Sequence, residues 1–145
     1  NEAYETFKTL GPQEIAFVMG VKGYEKYAVA CKGFETVKGM PVHAKSAYFY
    51  NQLLEKLGTG NKYEEISSGD KVRFMYVETP NKYGLQSIGF KYEYPEEFEE
   101  IFKIDYEKMF DKILYQSIAR FYDNVNWNIR KPSENVQTEL FDLFA

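Results

Sequence analysis

Apolar residues recur at helical spacing in two long stretches of this chain. In the first stretch they stand at Ala47, Tyr50, Leu53, Leu54 and Leu57. In the second they stand at Tyr106, Met109, Phe110, Ile113, Leu114, Ile118, Phe121 and Val125. Steps of three and four residues place such positions on one side of a helix. We therefore predict one helix that ends before Gly58 and a second that follows Asp105. Shorter helical segments are expected over residues 2–9, 24–30 and 95–103.

Apolar and polar residues alternate between these two helices, from Lys71 to Val77. A period of two is typical of a strand with one buried face, and Lys71 and Arg73 share the other, basic face. A turn over residues 79–84 leads to a second strand over 85–91, which predicts a hairpin. The apolar run over 14–21 predicts a further short, buried strand. The expected fold class is α+β, a small antiparallel sheet with several packed helices and a flexible C-terminal tail.

The end of the chain changes character after Trp127. Residues 128–136 are mostly polar and contain Pro132, which predicts a loosely held linker. An apolar patch then follows, with Gln137, Leu140, Phe141, Leu143 and Phe144 as its candidate binding residues. Such a peptide either anchors in a partner's pocket or folds back on its own domain. We predict a domain over 1–127 and a linker with a binding tail over 128–145.

Composition narrows the class of protein. The chain has 145 residues, enough for one domain with a core, and 18% of them are aromatic, which argues against disorder. The single cysteine, Cys31, has no partner for an internal disulfide, as is typical of a reducing cytoplasm. No apolar run approaches the roughly 18 residues of a membrane span, so no membrane partner is expected.

Charge is distributed unevenly along the chain, although the net charge is only −4. Residues 22–91 carry eleven bases and seven acids, whereas residues 92–145 carry six bases and twelve acids. No acidic residue occurs from Thr36 to Leu54. A basic middle region points to a polyanionic partner. The break at Gly39 and Pro41 opens a helix inside this acid-free stretch, and a basic helix N-terminus favours phosphate.

These observations predict a surface that touches nucleic acid. Its candidate residues are Lys38, His43, Lys45, Tyr50, Asn51, Lys71, Arg73 and Lys82. Lysine and tyrosine side chains hydrogen-bond phosphate and sugar without reading the base sequence. The alternative is that the tyrosines belong to the core and the lysines are merely solvated.

The sequence carries few signals of catalysis. One histidine and one cysteine do not suffice for a zinc site. The chain has no Gly-rich phosphate loop and no Asp-x-Asp pair of the kind that holds two metal ions in nucleotidyl transfer. The acidic pairs Glu96/Glu97 and Glu99/Glu100 lie in a run that we interpret as a solvated surface. No catalytic residue is therefore assigned.

Several motifs follow one another along the chain as a recognisable series. They are Lys38–Ala47 (KGMPVHAKSA) with Tyr50-Asn51, Thr79–Gly84 (TPNKYG), Tyr94–Phe98 (YPEEF), Ile104–Phe110 (IDYEKMF) and the tail Glu139–Phe144 (ELFDLF). In this order they resemble the C-terminal thumb region of family B DNA polymerases of T-even-type bacteriophages. The tail also resembles the peptides that bind sliding clamps. Lys45 stands where the family often has Arg, and lysine contacts phosphate as a point charge.

The resemblance implies a fragment of a viral replicative polymerase in the cytoplasm of an infected bacterium. Its partners would be primer–template duplex, a sliding clamp and the remaining polymerase domains, which have no counterpart in this chain. The magnesium of the complete polymerase would be held by those domains, so no cofactor and no independent polymerase activity are expected here. A rival interpretation is an adaptor that binds a ring-shaped clamp without touching DNA. A third is a small enzyme of unknown chemistry.

Overall fold

The computed structural model describes residues 2–125, with side chains through residue 123. The α+β class predicted from the sequence is confirmed. The chain divides into two compact units, one of which is Gly11–Asp105. The other combines Asn1–Leu10 with the chain from Tyr106 onward. The predicted boundary after residue 127 and the predicted linker and tail lie outside the described residues.

Six helices and three strands form the described part of the chain. In order they are α1 (Glu2–Phe7), α2 (Pro12–Ile15), β1 (Phe17–Gly20), α3 (Tyr24–Ala28), α4 (Val42–Lys56), β2 (Lys71–Tyr76), β3 (Ser87–Phe90), α5 (Glu96–Glu99) and α6 (Tyr106–Val125). The two long helices predicted from apolar periodicity, α4 and α6, are therefore confirmed.

The sheet has the strand order β1-β2-β3, and both neighbouring pairs are antiparallel. Phe17 pairs with Phe74, and Arg73 pairs with Phe90, so the predicted hairpin of the second and third strands is confirmed. Helix α4 packs on β2 and β3. It approaches β3 closely because Gly89 has no side chain, and a Cβ there would lie 2.9 Å from the Ser46 carbonyl oxygen. The core of this unit lies between α4 and the sheet.

Two strand predictions need correction. The run over 14–21 is not one buried strand, because Pro12 and the Glu14 carboxylate, which accepts the Gly11 N–H at 3.3 Å, favour a helical turn before β1. Val18 and Met19 in β1 are also exposed rather than buried. On β2 the basic face is limited to Lys71, because Arg73 is half-buried and Met75 is fully buried on the same face.

The acidic segment over 95–103 forms a shorter helix than predicted. Helix α5 covers only Glu96–Glu99, and it buries Phe98 completely. The Tyr63 hydroxyl donates to Glu97 at 2.7 Å and accepts the Glu96 N–H at 3.3 Å. The acidic turn is therefore fixed to the body of the unit by one buried tyrosine.

The second unit is held together by aromatic rings on α1 and α6. The Phe110 ring lies 5.3 Å from Tyr4 and 5.4 Å from Phe7, both in edge-to-face geometry. The Tyr106 hydroxyl donates to the Leu10 carbonyl at 2.6 Å. Edge-to-face pairs add to the stabilisation from burial alone, so this cluster explains why a six-residue helix stays packed on α6.

Candidate nucleic-acid interface at the first turn of helix α4

The turn that opens α4 leaves backbone amides without acceptors. Gly39 has a φ of 86°, a conformation that favours glycine, and it leads into Pro41 at the N-cap. The first bond of the helix runs from the Lys45 N–H to the Pro41 carbonyl at 2.9 Å. Within the described residues, no side chain caps this helix and its first turn holds no acid. The amides of Val42–Ala44 therefore point their positive ends outward, an arrangement that favours an anion.

A cleft lies between this first turn and helix α3. Its volume is about 190 Å³, and three basic side chains line it, Lys22, Lys26 and His43. Both lysines are exposed, and His43 is half-buried. No acidic side chain of the described residues lines the cleft. We call this site, formed by Lys22, Lys26, His43 and the amides of Val42–Ala44, the basic cleft.

Helix α3 is hydrogen-bonded both to α4 and to the turn over residues 67–70. The Tyr24 hydroxyl accepts a hydrogen bond from Asn51 Nδ2 at 3.0 Å. The Gly23 N–H donates to Ser68 Oγ at 3.1 Å, and the Glu25 carboxylate accepts the Ser68 N–H at 2.8 Å. That backbone bond holds the pKa of Glu25 below its usual range. The one acid of α3 is therefore directed at the 67–70 turn instead of the basic cleft.

The 67–70 turn is itself fixed by a buried lysine. Lys91 is 7% exposed, and its Nζ lies 3.1 Å from Asp70, 3.2 Å from Glu64 and 3.2 Å from the Glu65 carbonyl. Burial alone would lower the pKa of Lys91, but its bonds to Asp70 and Glu64 outweigh burial and raise it. The Lys91 ammonium therefore stays charged and supports the turn to which α3 is bonded.

The predicted interface residues at the start of α4 do not form one groove. Lys38 is exposed in the loop before the helix. His43 lines the basic cleft, whereas Lys45 lines a different cavity. Two residues along a helix are separated by about 200° of rotation, which explains the divergence.

Tyr50 and Asn51 require a correction, because Tyr50 is buried and the half-buried Asn51 is hydrogen-bonded within the fold. Tyr50 is 2% exposed and donates its hydroxyl to the Glu64 carbonyl at 2.8 Å, and burial raises its pKa. Asn51 bonds both backbone groups of Ile66, accepting its N–H at 2.9 Å and donating to its carbonyl at 2.8 Å. Their side chains are therefore occupied by the fold, and we exclude them from the interface.

The three remaining candidates lie in three different surroundings. Arg73 is half-buried, and its guanidinium donates to the Lys91 carbonyl, which excludes it from an exposed basic face. Lys71 is exposed at the start of β2 and pairs with Gly20, two residues before Lys22. Lys82 is exposed in the 79–84 turn, 5.6 Å from the centre of the Tyr83 ring. Only Lys71 lies at the strand end that leads into the basic cleft.

Lys22 and Lys26 were missed by sequence reasoning. The signal was present in the sequence Lys22-Gly23-Tyr24-Glu25-Lys26, where one base precedes a short helix and the other lies within it. Its relation to α4 depends on the contact between Tyr24 and Asn51, which are 27 positions apart in the chain.

Neither a metal site nor a membrane helix is found in the described part of the chain. Between residues 2 and 125, no three His, Cys, Asp or Glu side chains come together as metal ligands. No helix in the same range has the length and apolar character needed to cross a membrane.

Comparison with known proteins adds no family assignment. No protein-family model matches the sequence, and no match was found among the curated proteins. The predicted tail residues Gln137, Leu140, Phe141, Leu143 and Phe144 lie outside the described residues.

Proposed function

We propose that this chain binds primer–template duplex as the thumb-like part of a family B DNA polymerase of the T-even-type bacteriophage kind. The observation that carries this proposal is the first turn of α4. Its uncapped amides point outward beside His43, Lys22 and Lys26, with no acid among the residues that line the cleft. A phosphate group there would accept from the amides and from the lysine ammonium groups.

Such contacts grip duplex without reading its sequence. Phosphate contacts fix the position of a protein on DNA and carry no base information, as a replicative enzyme requires. The lysine side chains are exposed and therefore hydrated, so binding should depend strongly on salt through the release of counterions. We expect a dissociation constant no tighter than about micromolar at moderate salt, because other polymerase domains would supply the rest of the groove.

The proposal assigns no catalysis to this chain alone. Nucleotidyl transfer depends on carboxylates that hold two metal ions, and the described residues bring no such set together. The chain with primer–template, nucleotides and magnesium should therefore extend no primer. Template-dependent extension by a pure preparation would contradict this assignment.

The proposal also includes the C-terminal peptide as a tether to a sliding clamp. Its support is the pattern of Gln137, Leu140, Leu143 and Phe144 after a polar linker. A tether keeps the polymerase at high effective concentration near the primer end. Removal of residues 139–145 should abolish binding to the cognate clamp in a pull-down and leave the melting temperature nearly unchanged. A large fall in melting temperature would instead mean that the peptide belongs to the core.

The basic cleft is tested by duplex binding as a function of salt, with fluorescence anisotropy as the readout. Lys22→Gln combined with Lys26→Gln should weaken binding to every sequence alike. The slope of log K against log salt should fall by about one for each lysine removed. Lys103→Gln is the control for the loss of one charge, because Lys103 is exposed in the same unit and lines neither the basic cleft nor the cavity beside Lys45.

The possible outcomes separate the two leading functions. An equal loss per lysine from Lys103→Gln would mean that binding reflects overall charge and has no defined cleft. Clamp binding with no measurable duplex binding at low salt would favour the adaptor instead.

A further inference from the structure

A second cavity opens on the side of α4 away from the basic cleft. Its volume is about 450 Å³, and the residues that matter for its chemistry are Phe34, Lys45, Phe49, Tyr76, Gln86 and Ser87. We name it the aromatic cleft. We propose that it binds one unpaired nucleotide of a single-stranded DNA segment. This inference rests on the proposed function and adds a second binding site to it.

The rings of Phe34 and Phe49 line the aromatic cleft, and the Tyr83 ring packs against Phe34. The centre of the Phe34 ring lies 5.0 Å from Tyr83 and 6.4 Å from Phe49. Phe34 and Tyr83 are both half-buried, so each ring keeps accessible surface. An unpaired base stacks on such rings whatever its identity, because every base has a π-face.

Lysine ammonium groups lie close to these rings. Lys56 Nζ lies 5.8 Å from the centre of the Phe34 ring and 5.6 Å from that of Tyr83. Lys82 Nζ lies 5.6 Å from the Tyr83 centre, and Lys45 lines the cleft itself. No acid of the described residues is among the lining side chains. Aromatic platforms combined with lysines are the recurring chemistry of single-strand binding.

The floor and rim of the cleft supply polar groups. Ser87 is buried, and its Oγ lies 2.8 Å from Ser46 Oγ, which fixes the floor against α4. Gln86 is exposed at the rim and offers an amide that both donates and accepts. A volume of this size is in the range of small-molecule sites, about 300–1,000 Å³. The cleft therefore has room for one base, with Lys45 available for the attached phosphate.

An aromatic cleft of this kind favours an unpaired nucleotide over duplex. A base inside a duplex has both faces stacked and is reached only after it is taken out of the stack. Single strands expose their bases without that cost. His43 and Lys45 lie on opposite sides of one helical turn. A strand that crosses the start of α4 would therefore pass from the basic cleft to the aromatic cleft.

The test is an NMR titration of the ¹⁵N-labelled full chain with single-stranded pentathymidylate, which forms no duplex. We expect the largest amide shifts at Thr36, Gly84 and Gln86. Phe34→Leu should raise the dissociation constant at least about fivefold, since stacking on one ring carries that much or more per base. Lys45→Gln should also weaken binding. It alters no ring, so it still tests the site if Phe34→Leu unfolds the protein.

Two controls separate this inference from the proposed function. Phe17→Leu makes the same change at a half-buried phenylalanine outside the cleft and should leave pentathymidylate binding unchanged. Phe34→Leu should leave duplex binding within about twofold of the parent, because phosphate contacts carry duplex binding. Shifts confined to residues 21–27 and 41–44 would overturn the aromatic cleft while the duplex proposal stands. Duplex binding that does not respond to the double lysine variant would overturn the duplex proposal alone.

Discussion

Asn51 offers the sharpest test of which residues of α4 belong to the interface and which to the fold. Its amide donates to the Ile66 carbonyl and to the Tyr24 hydroxyl, and its oxygen accepts the Ile66 N–H. Ile66 is 2% exposed, so water has little access to the backbone groups that Asn51→Ala would leave without partners. Each buried group left unpaired costs about 1–3 kcal/mol.

The expected loss from Asn51→Ala is therefore about 2–6 kcal/mol in the free energy of unfolding, as a sum over the two Ile66 groups. That is a large fraction of the roughly 5–15 kcal/mol that stabilises a typical domain. The measurement is urea unfolding followed by circular dichroism, with duplex binding measured on the same preparation. Gln52→Ala is the matched control. It removes a neighbouring, half-buried amide for which the structure records no such pair of bonds, and its cost should stay below about 1 kcal/mol.

The result that would refute this reasoning is specific. If Asn51→Ala left the free energy of unfolding within about 0.5 kcal/mol of the parent and weakened duplex binding, Asn51 would be an interface residue. The sequence-based prediction would then be right and the assignment of Asn51 to the fold would be wrong. If stability falls while the folded fraction binds duplex with unchanged affinity, Asn51 acts through the fold.

Two further predictions concern the same unit. Gly89→Ala should destabilise the protein by about 1–3 kcal/mol in urea unfolding, because the new Cβ would lie 2.6 Å from Val72 Cγ2 and 2.9 Å from the Ser46 carbonyl oxygen; a neutral result would mean that α4 and β3 are not packed this closely. The Ser67 N–H and the Lys91 ammonium lower the pKa of Asp70, so its stabilisation is fully present above about pH 4 and is lost as pH falls through the lowered pKa. Asp70→Asn should therefore flatten the dependence of the urea midpoint on pH below about pH 4, and an unchanged profile would contradict the interactions of Asp70 with Ser67 and Lys91.

The sequence predicts well those helices and strands whose position depends on a single local pattern. Apolar spacing places α4 and α6, and the alternation in β2 with a turn at 79–84 places the hairpin. The strand prediction over 14–21 is wrong because a strand preference and a helix-start preference compete there. Its β-branched residues favour a strand, but Pro12 and Glu14 start a helical turn first.

The candidate interface shows a different limit of prediction from sequence. Sequence identifies the acid-free start of α4, since charge and helix-breaking residues are local properties. It does not distinguish a tyrosine or an amide that binds a ligand from one that bonds the backbone of a distant loop. Tyr50 and Asn51 bond residues 14 and 15 positions away, at Glu64 and Ile66. The same limit explains why Lys22 and Lys26 were missed, because only folding brings α3 beside α4.

Helix α4 itself explains why basic residues and structural residues are so closely mixed in this stretch. Only Ala44 is buried in its first turn, whereas Val42, His43 and Lys45 keep part of their surface accessible to solvent. From Ser46 onward the helix is hydrogen-bonded to its neighbours. Ser46 bonds Ser87 of β3, and two further side chains, Tyr50 and Asn51, bond the backbone of residues 64–66. A ligand bound at the first turn would therefore contact a helix whose remaining turns are anchored on two sides. Such anchoring reduces the ordering cost of binding, which is how a rigid element gains affinity from a few exposed contacts.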